Sequence, residues 1–472
     1  MSYPSRSKRT HRVAGLAAAG IGATAAERGF VCGRLLRLSA HSLVIADESG
    51  AAELRLACEP EGVDPGDLVE ISFTRDAQGG CAAPRCAAAG IRLMAKATQP
   101  PWGNRDFQRF TDDLKDVLRL RARLIECVRR FFAEADFLEV ETPALVPSPG
   151  LELHLRSFAT DYVPERDDPN APGPRRVFLP TSPEYHMKRL LACGFERIFQ
   201  ICRCFRNGES YRLHNPEFTM LEWYRAWADY TAIMDDLESL GSRLGSQVDT
   251  RVGEWASGGA GEKKDTKTRG REDARMKKPA VDLSPPWNRI TVADAFHSYA
   301  GIELPPETNA DAFRRAARRA GFDTVSHSDT WDDVFYKVFL SAIEPKLGLT
   351  KPVFLTDYPA SMAALAKRSE DDPSVAERFE LFIGGVEIAN GFTELNDPAE
   401  QRRRFAEELE QRRQLGAPEH PIDDRLLDAL AIGMPPAGGV AVGLDRLIML
   451  LAGKDRIADV NAFPFAHDFP AV

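Results

Sequence analysis

The stretch that most constrains this chain runs from Arg197 to Tyr224, R-I-F-Q-I-C-R-C-F-R-N-G-E-S-Y-R-L-H-N-P-E-F-T-M-L-E-W-Y. Ile198, Phe199, Ile201, Cys202, Cys204 and Phe205 are interrupted only by Gln200 and Arg203. A short apolar run of β-branched and aromatic residues suits a largely buried strand. Arg206-Asn207-Gly208-Glu209 is charged and rich in turn formers, and Asn215 to Tyr224 returns to apolar and aromatic residues. A strand, a charged loop and a second strand would set Arg206, Asn215 and Phe218 around one site. An Arg fork can donate two parallel hydrogen bonds to a phosphate, and a nearby aromatic ring can stack a purine.

A second constellation lies far downstream. Glu377 to Asn390, E-R-F-E-L-F-I-G-G-V-E-I-A-N, reads as a β-hairpin with Gly384-Gly385 as its two-residue turn. That register opposes Ile383 to Val386, Phe382 to Glu387 and Glu380 to Ala389. Glu380 and Glu387 then share a face as diagonal neighbours. Two carboxylates so placed repel each other unless a cation lies between them. A divalent metal bridging nucleotide phosphates fits, with Mg²⁺ the usual choice, so Glu380 and Glu387 are the metal-ligand candidates.

F-R-N followed by H-N-P-E-F-T-M-L-E-W-Y resembles motif 2 of a class II aminoacyl-tRNA synthetase of the lysyl type. G-V-A-V-G-L-D-R-L, Gly439 to Leu447, resembles motif 3, and T-S-P-E-Y-H-M-K-R-L, Thr181 to Leu190, narrows the match. Together they are similar to the elongation factor P–(R)-β-lysine ligase family, a synthetase paralogue, over roughly Asp106 to the C-terminus. The resemblance implies an α+β catalytic domain, an antiparallel sheet flanked by helices. It also implies ATP and Mg²⁺ as cofactors. Arg206 would hold the α-phosphate and act with Arg446 in catalysis. Phe218 and Arg446 would sandwich the adenine, with Asn207, Asn215, Glu387, Ile388 and Gly443 completing the ATP site. Ser182, Pro183, Glu184, Tyr224, Glu394 and Ala441 would line the amino-acid pocket, Glu394 meeting the side-chain ammonium of the substrate.

The implied chemistry is carboxylate activation. The substrate carboxylate attacks the α-phosphorus of ATP, pyrophosphate leaves, and an acyl-adenylate remains for an amine or hydroxyl acceptor. No protein nucleophile is needed; positioning and charge neutralisation suffice. The acceptor implied is a lysine of elongation factor P, with (R)-β-lysine the preferred substrate. Ala441, where lysyl-tRNA synthetases usually carry Gly, supports that choice. The alternatives are a lysyl-tRNA synthetase charging tRNA(Lys) and a non-catalytic synthetase-like binding protein. Intact Arg206, Glu380, Glu387 and Arg446 argue against the last. One departure stands out: the family pattern after Phe205 is R-N-E, whereas here Gly208 takes that place and Glu209 follows. Either the loop is locally shifted or that glutamate's contact is lost.

The remaining sequence divides by composition. Ser5 to Ala26 is basic and Ala/Gly-rich, and residues 1–29 read as a disordered leader. Phe30 to Ala97 contains five short strand-like runs separated by turn formers, which suits a small OB-like β-barrel over residues 30–98. Its only aromatics are Phe30 and Phe73, and its acidic residues outnumber its basic ones, so it is poorly equipped to read an anticodon. From Phe107 to Ala135 apolar residues recur at helical spacing, and Phe137 to Pro143 reads as a strand, an order that resembles the class II dimerisation element. A homodimer is expected from it. Ser182 is placed to cap a helix over Tyr185 to Cys193 with Pro183 at its first position. Thr231 to Leu244 is a further amphipathic helix. The catalytic domain spans residues 103–472, with a disordered insertion at about 246–285, where Gly258 to Lys278 is nearly free of apolar residues.

A formal net charge of −9 leaves no global basic field to gather nucleic acid. The eight cysteines include no C-x-x-C pair and no clustered histidines, which disfavours a zinc site and suits reduced thiols in a cytoplasm. No apolar run approaches a membrane span.

Overall fold

The computed structural model describes residues 9, 13, 27–39, 42–48, 50–56, 62–75, 85–86, 91–98, 104–110, 112–153, 155–164, 173–255 and 281–469. Two compact units divide the chain, Met1–Arg119 and Leu120–Val472. No helix of the described residues is long and apolar enough to cross a membrane.

The first unit is a β-structure of six strands: β1 (Glu27–Leu38), β2 (Ser42–Asp47), β3 (Gly50–Leu56), β4 (Leu68–Arg75), β5 (Arg85–Cys86) and β6 (Ile91–Ala95). Alternation dictates its inner face. In Ser42–Asp47 only Leu43 and Ile45 are buried, and they join Val31, Leu35, Leu54, Val69 and Ile71 in one core. The pairing runs β1-β2-β3-β5-β4 and returns from β4 to β1, with β6 beside β4. The pairings are antiparallel except for the parallel β3–β5 contact. Of the expected leader, Val13 packs into this core and β1 already begins at Glu27; apart from Arg9, the rest lies outside the described residues.

The second unit is built on an eight-stranded sheet. Its strands are β7 (Leu138–Glu139), β10 (Arg197–Phe205), β11 (Glu217–Ala226), β12 (Asn288–Thr291), β13 (Val353–Pro359), β14 (Val375–Ile383), β15 (Val386–Thr393) and β16 (Ala437–Gly443). The order is β12-β13-β14-β15-β16-β11-β10-β7, antiparallel except for the parallel pairs at its two edges. A separate ribbon pairs β8 (Ala159–Tyr162) with β9 (Arg175–Phe178). Helices α1 (Asp112–Glu134), α2 (Glu184–Ala192), α3 (Tyr230–Trp255), α4 (Pro398–Gln414), α5 (Asp424–Gly433) and α6 (Leu444–Leu451) accompany the sheet. The fold is α+β, as the sequence led us to expect.

Several expected boundaries move. The strand expected over Phe137 to Pro143 pairs only at Leu138–Glu139. The expected insertion start at Ser246 lies inside α3, which continues to Trp255; residues 256–280 lie outside the described residues. Gly384 and Gly385, with φ of 62° and 73°, do form the tight turn. Beyond that turn, however, the register differs from the expected one. Ile383 opposes Val386 and Phe382 opposes Glu387, but Leu381 opposes Ala389 and Glu380 opposes Asn390. A bulge at Ile388 adds one residue to β15, so Glu380 does not face Ala389.

The sheet is anchored by Phe132 of α1. Its ring stacks on Phe199 of β10 at 4.6 Å and lies 5.1 Å from Trp223 of β11. It is fully buried, so its removal leaves a cavity that rigid strands cannot close. Phe132→Ala should destabilise the second unit by about 3–5 kcal/mol. Urea unfolding followed by tryptophan fluorescence measures this, and a loss below about 1 kcal/mol would show that the cluster is not an anchor.

Candidate active site

The charged loop between β10 and β11, the start of α2, β15, and the β16–α6 junction converge on one cavity of about 290 Å³. The pairing order explains the convergence. β11 is flanked by β10 and β16, and β16 by β15, so residues far apart in sequence sit on one face of adjacent strands. Ala441 opposes Glu222 on one side and Asn390 on the other.

Ser182, Glu184, Arg206, Asn215, Phe218, Tyr224, Glu387, Ile388, Glu394, Ala441, Gly443 and Arg446 all line this cavity. Three expected residues do not: Asn207 is exposed, Pro183 is buried in the wall, and Glu380 lies off the lining. Helix α2 starts at Glu184, not Tyr185, so Pro183 flanks the helix rather than opening it. The hydroxyl of Ser182 accepts from the Glu184 backbone N–H at 3.0 Å and donates to Glu222 at 2.6 Å. The cap and the pocket thus share one hydroxyl.

One end of the cavity is acidic. Glu184, Glu222 and Glu394 gather there, and sequence reasoning missed their counter-ion. Lys188 lies one turn after Glu184 on α2 and is 1% exposed. Its ammonium sits 2.6 Å from Glu184 Oε1 and 2.5 Å from Glu394 Oε2, and 5.3 Å from the centre of the Phe392 ring. Burial would lower its pKa, but Glu184 and Glu394 outweigh this and raise it. One ammonium does not neutralise three carboxyls. Burial pushes Glu394 up to about 8 despite Lys188, and burial with the charge of Glu184 holds Glu222 well above the ordinary carboxyl range. Glu222 accepts from Ser182 and from the Tyr224 hydroxyl, whereas Glu394 Oε1 has no hydrogen-bond donor among the described residues. A Cβ at Gly439 would collide with Glu394 and Tyr224, so glycine is required there.

The other end is basic. Arg446, in the first turn of α6, donates to the Glu387 carbonyl at 2.9 Å and to His214 Nε2 at 2.6 Å. Burial and the Arg446 charge hold His214 down to about 4, so its ring accepts that bond in its neutral form. Arg206 lies over the Phe218 ring at 5.1 Å, and its Nε is buried without a partner. Gly208 adopts a positive φ of 86°, which turns the loop and brings Glu209 to the cavity wall. The loop is therefore shifted, and a glutamate still reaches the site from the next position.

The two expected metal ligands have unequal surroundings. Arg378 donates to Glu380 at 2.7 Å and to Asn390 at 3.3 Å, and supplies a cation that the sequence argument had not placed. Burial first, and then the charge of Glu387, push Glu380 up to about 7. Glu387 is more open and makes one loose ion pair with Arg446 at 3.4 Å. At the cavity lining, Asp445 pairs with Arg121 at 2.6 Å and accepts from the Thr219 backbone N–H at 3.1 Å, tying α6 to α1 and β11.

The profile of the tRNA synthetases class II (D, K and N) matches residues 103–467, and the chain belongs to that family. Among its relatives is an elongation factor P–(R)-β-lysine ligase of Proteus mirabilis, 40% identical over 345 residues, or 73% of this chain and 93% of that protein. The ligase of that name from Vibrio cholerae is 40% identical over 349 residues, 74% of this chain and 95% of that protein. A lysine–tRNA ligase of Pelotomaculum thermopropionicum is 37% identical over 393 residues, 80% of this chain and 72% of that protein.

The raised pKa of Glu394 carries a stability signature. A carboxyl that titrates near 8 when folded but in the ordinary range when unfolded holds its proton preferentially in the fold. Its contribution is present below the unfolded value and is lost as pH rises through the folded one. Glu394→Gln mimics the protonated form. The variant should gain on the wild type by about 1.4 kcal/mol per pH unit between roughly pH 5 and 8. Denaturant unfolding across that range tests it, and a constant difference would contradict the assignment.

Proposed function

We infer that this chain is an ATP-dependent ligase that activates a lysine-type amino acid, preferably (R)-β-lysine, as an acyl-adenylate. It then transfers the acyl group to a lysine side chain of elongation factor P. The carrying observation is the acidic end of the cavity, where Glu184 and Glu394 share one internal cation, Glu222 lies buried beside them without one, and Glu394 keeps an unbonded oxygen. Such a site favours a ligand with ammonium groups. Family membership supports the ligase class, and the names of the 40%-identical relatives support the acceptor.

In this reading the substrate amines meet Glu394, Glu184 and Glu222, and the Tyr224 hydroxyl helps to orient them. Its carboxylate points toward Arg206, which holds the α-phosphate of ATP. Phe218 offers a face to the adenine, and Arg446 covers the base from the α6 side. Asn215 and Gly443 let the nucleotide approach the backbone. The side-chain oxygen of Asn215 already accepts from the Phe465 backbone N–H at 3.0 Å, which fixes its rotamer. Glu387 and Glu380 would hold Mg²⁺ in this reading, since burial and then the charge of Glu387 push Glu380 up to about 7, and a cation between them would relieve that repulsion. Bound there, it would neutralise phosphate charge. The first unit, read as an OB-like barrel, serves a role other than anticodon recognition. A homodimer formed along α1 and β7, and a cytoplasmic location, complete the proposal.

Two experiments test this reading. Glu387→Gln should lower lysine-dependent pyrophosphate exchange at least about a hundredfold, as loss of one electrostatic contact to a transition state can. Undiminished exchange would remove Glu387 from the nucleotide site. Labelled (R)-β-lysine, (S)-β-lysine and α-lysine, each offered with elongation factor P or with tRNA(Lys), identify the acceptor. Transfer of (R)-β-lysine to the protein is expected, with little charging of tRNA. Efficient, anticodon-dependent charging of tRNA(Lys) would instead make the chain a lysyl-tRNA synthetase.

A further inference from the structure

Two thiols and a thioether are gathered around Cys204 beside the Phe218 end of the cavity. Cys202 and Cys204 are two apart on β10 and so point to the same face. Met220 opposes Cys202 on β11, and Phe218 opposes Cys204. The two thiol sulfurs are 3.8 Å apart, and Cys204 Sγ is 3.8 Å from Met220 Sδ. Cys204 is fully buried and Cys202 partly so.

This spacing decides what the group can do. A disulfide needs sulfurs at about 2.05 Å and Cα atoms within about 6.8 Å. Residues two apart on an extended strand already lie about 6.6–6.8 Å apart, at that limit. Closing the pair directly would strain a strand held on both sides. An ion between the sulfurs needs no such movement. Three sulfurs around an ion at about 2.3 Å, in a trigonal plane, are about 4.0 Å from one another. The two separations from Cys204, 3.8 Å each, fall close to this value, and the strand register sets Met220 opposite Cys202 on the third side.

We propose that Cys202, Cys204 and Met220 form a binding site for a soft monovalent cation, copper(I), in trigonal all-sulfur coordination. Two thiolates and a thioether suit copper(I) far better than a hard cation. Zinc would require a fourth nitrogen, oxygen or sulfur donor. Among the described residues no group of three His, Cys, Asp or Glu side chains is placed to supply one. The nearest carboxylate on this face, Glu222, already accepts from Ser182 and Tyr224. Binding releases two thiol protons to solvent, forms three copper–sulfur bonds and leaves the metal's oxidation state unchanged. The loaded site carries one net negative charge. It sits beside Phe218 and Met220, which line the cavity, and within reach of the Arg206 charge. Occupancy would therefore oppose the phosphates of ATP.

The test is anaerobic titration of the full chain with copper(I) against a chromophoric copper(I) chelator, with X-ray absorption of the loaded protein. One tight equivalent with three sulfurs at about 2.3 Å is expected. Cys204→Ser should abolish it, and Met220→Leu, which conserves volume, should weaken it at least tenfold. Cys193→Ser, which removes an exposed thiol elsewhere, should leave it unchanged. A tight equivalent that survives Cys204→Ser, or a two-coordinate spectrum indifferent to Met220→Leu, would overturn the proposal. None of these readings depends on the identity of the amino-acid substrate or of the acceptor.

Discussion

The site depends on a single buried ammonium. Lys188 is almost completely removed from solvent, a placement that costs several kcal/mol unless charge compensates it. Two carboxylates from different elements do so. Glu184 comes from the same helix, one turn back, and Glu394 from the residue that follows β15. This pairing holds α2 against the sheet at one orientation. It also explains why the wall around it tolerates so little side chain: Gly439 lies where any Cβ would strike Glu394 and Tyr224.

Charge also separates the two ends of the cavity. Tyr224 and Phe218 lie six residues apart on β11, about 20 Å along an extended strand. Near Tyr224 the groups are Glu184, Glu222 and Glu394. Near Phe218 they are Arg206, Arg446 and a neutral His214, with Glu209 and the Arg446-paired Glu387 beside them. An elongated ligand, cationic at one end and phosphorylated at the other, matches that polarity. The bulge at Ile388 contributes to the division. It sets Glu380 opposite Asn390, where Arg378 bonds to both, and leaves Glu387 facing the cavity beside Arg446.

Much of this was legible before any coordinates. The apolar run Ile198 to Phe205 and the aromatic run Phe218 to Trp223 are paired strands, and the Gly384-Gly385 turn has the positive φ that its residues demand. Most candidate ligands reach one cavity because strand alternation determines which residues share a face. What escaped has common causes. A bulge adds one residue without disturbing the hydrophobic pattern, so the partner of Glu380 was misjudged by one position. Lys188 reads as an ordinary helix residue, since a charge buried by distant carboxylates leaves no local trace. The resemblance puts Asn207 in the ATP site beside Arg206, yet the turn at Gly208 leaves it in solvent. The same turn brings Glu209 to the cavity wall, one position after the place the family pattern gives a glutamate.

The acidic end is incomplete by its own electrostatics, and this links fold to selectivity. With Lys188 in place, Glu394 still holds its proton up to about pH 8 and Glu222 is raised as well. Further positive charge entering the pocket would favour their ionised forms. A ligand with one ammonium supplies less of that charge than one with two. A neutral or acidic amino acid supplies none and would bury its own polar groups against carboxyls that need a cation. Under the proposed function, the desolvated carboxyls would discriminate against common amino acids without a steric device at this end. Distinguishing one diamino acid from another is a finer task. Under the proposed function it would fall to the wall positions beside the carboxyls, where Ala441 is paired between Glu222 and Asn390.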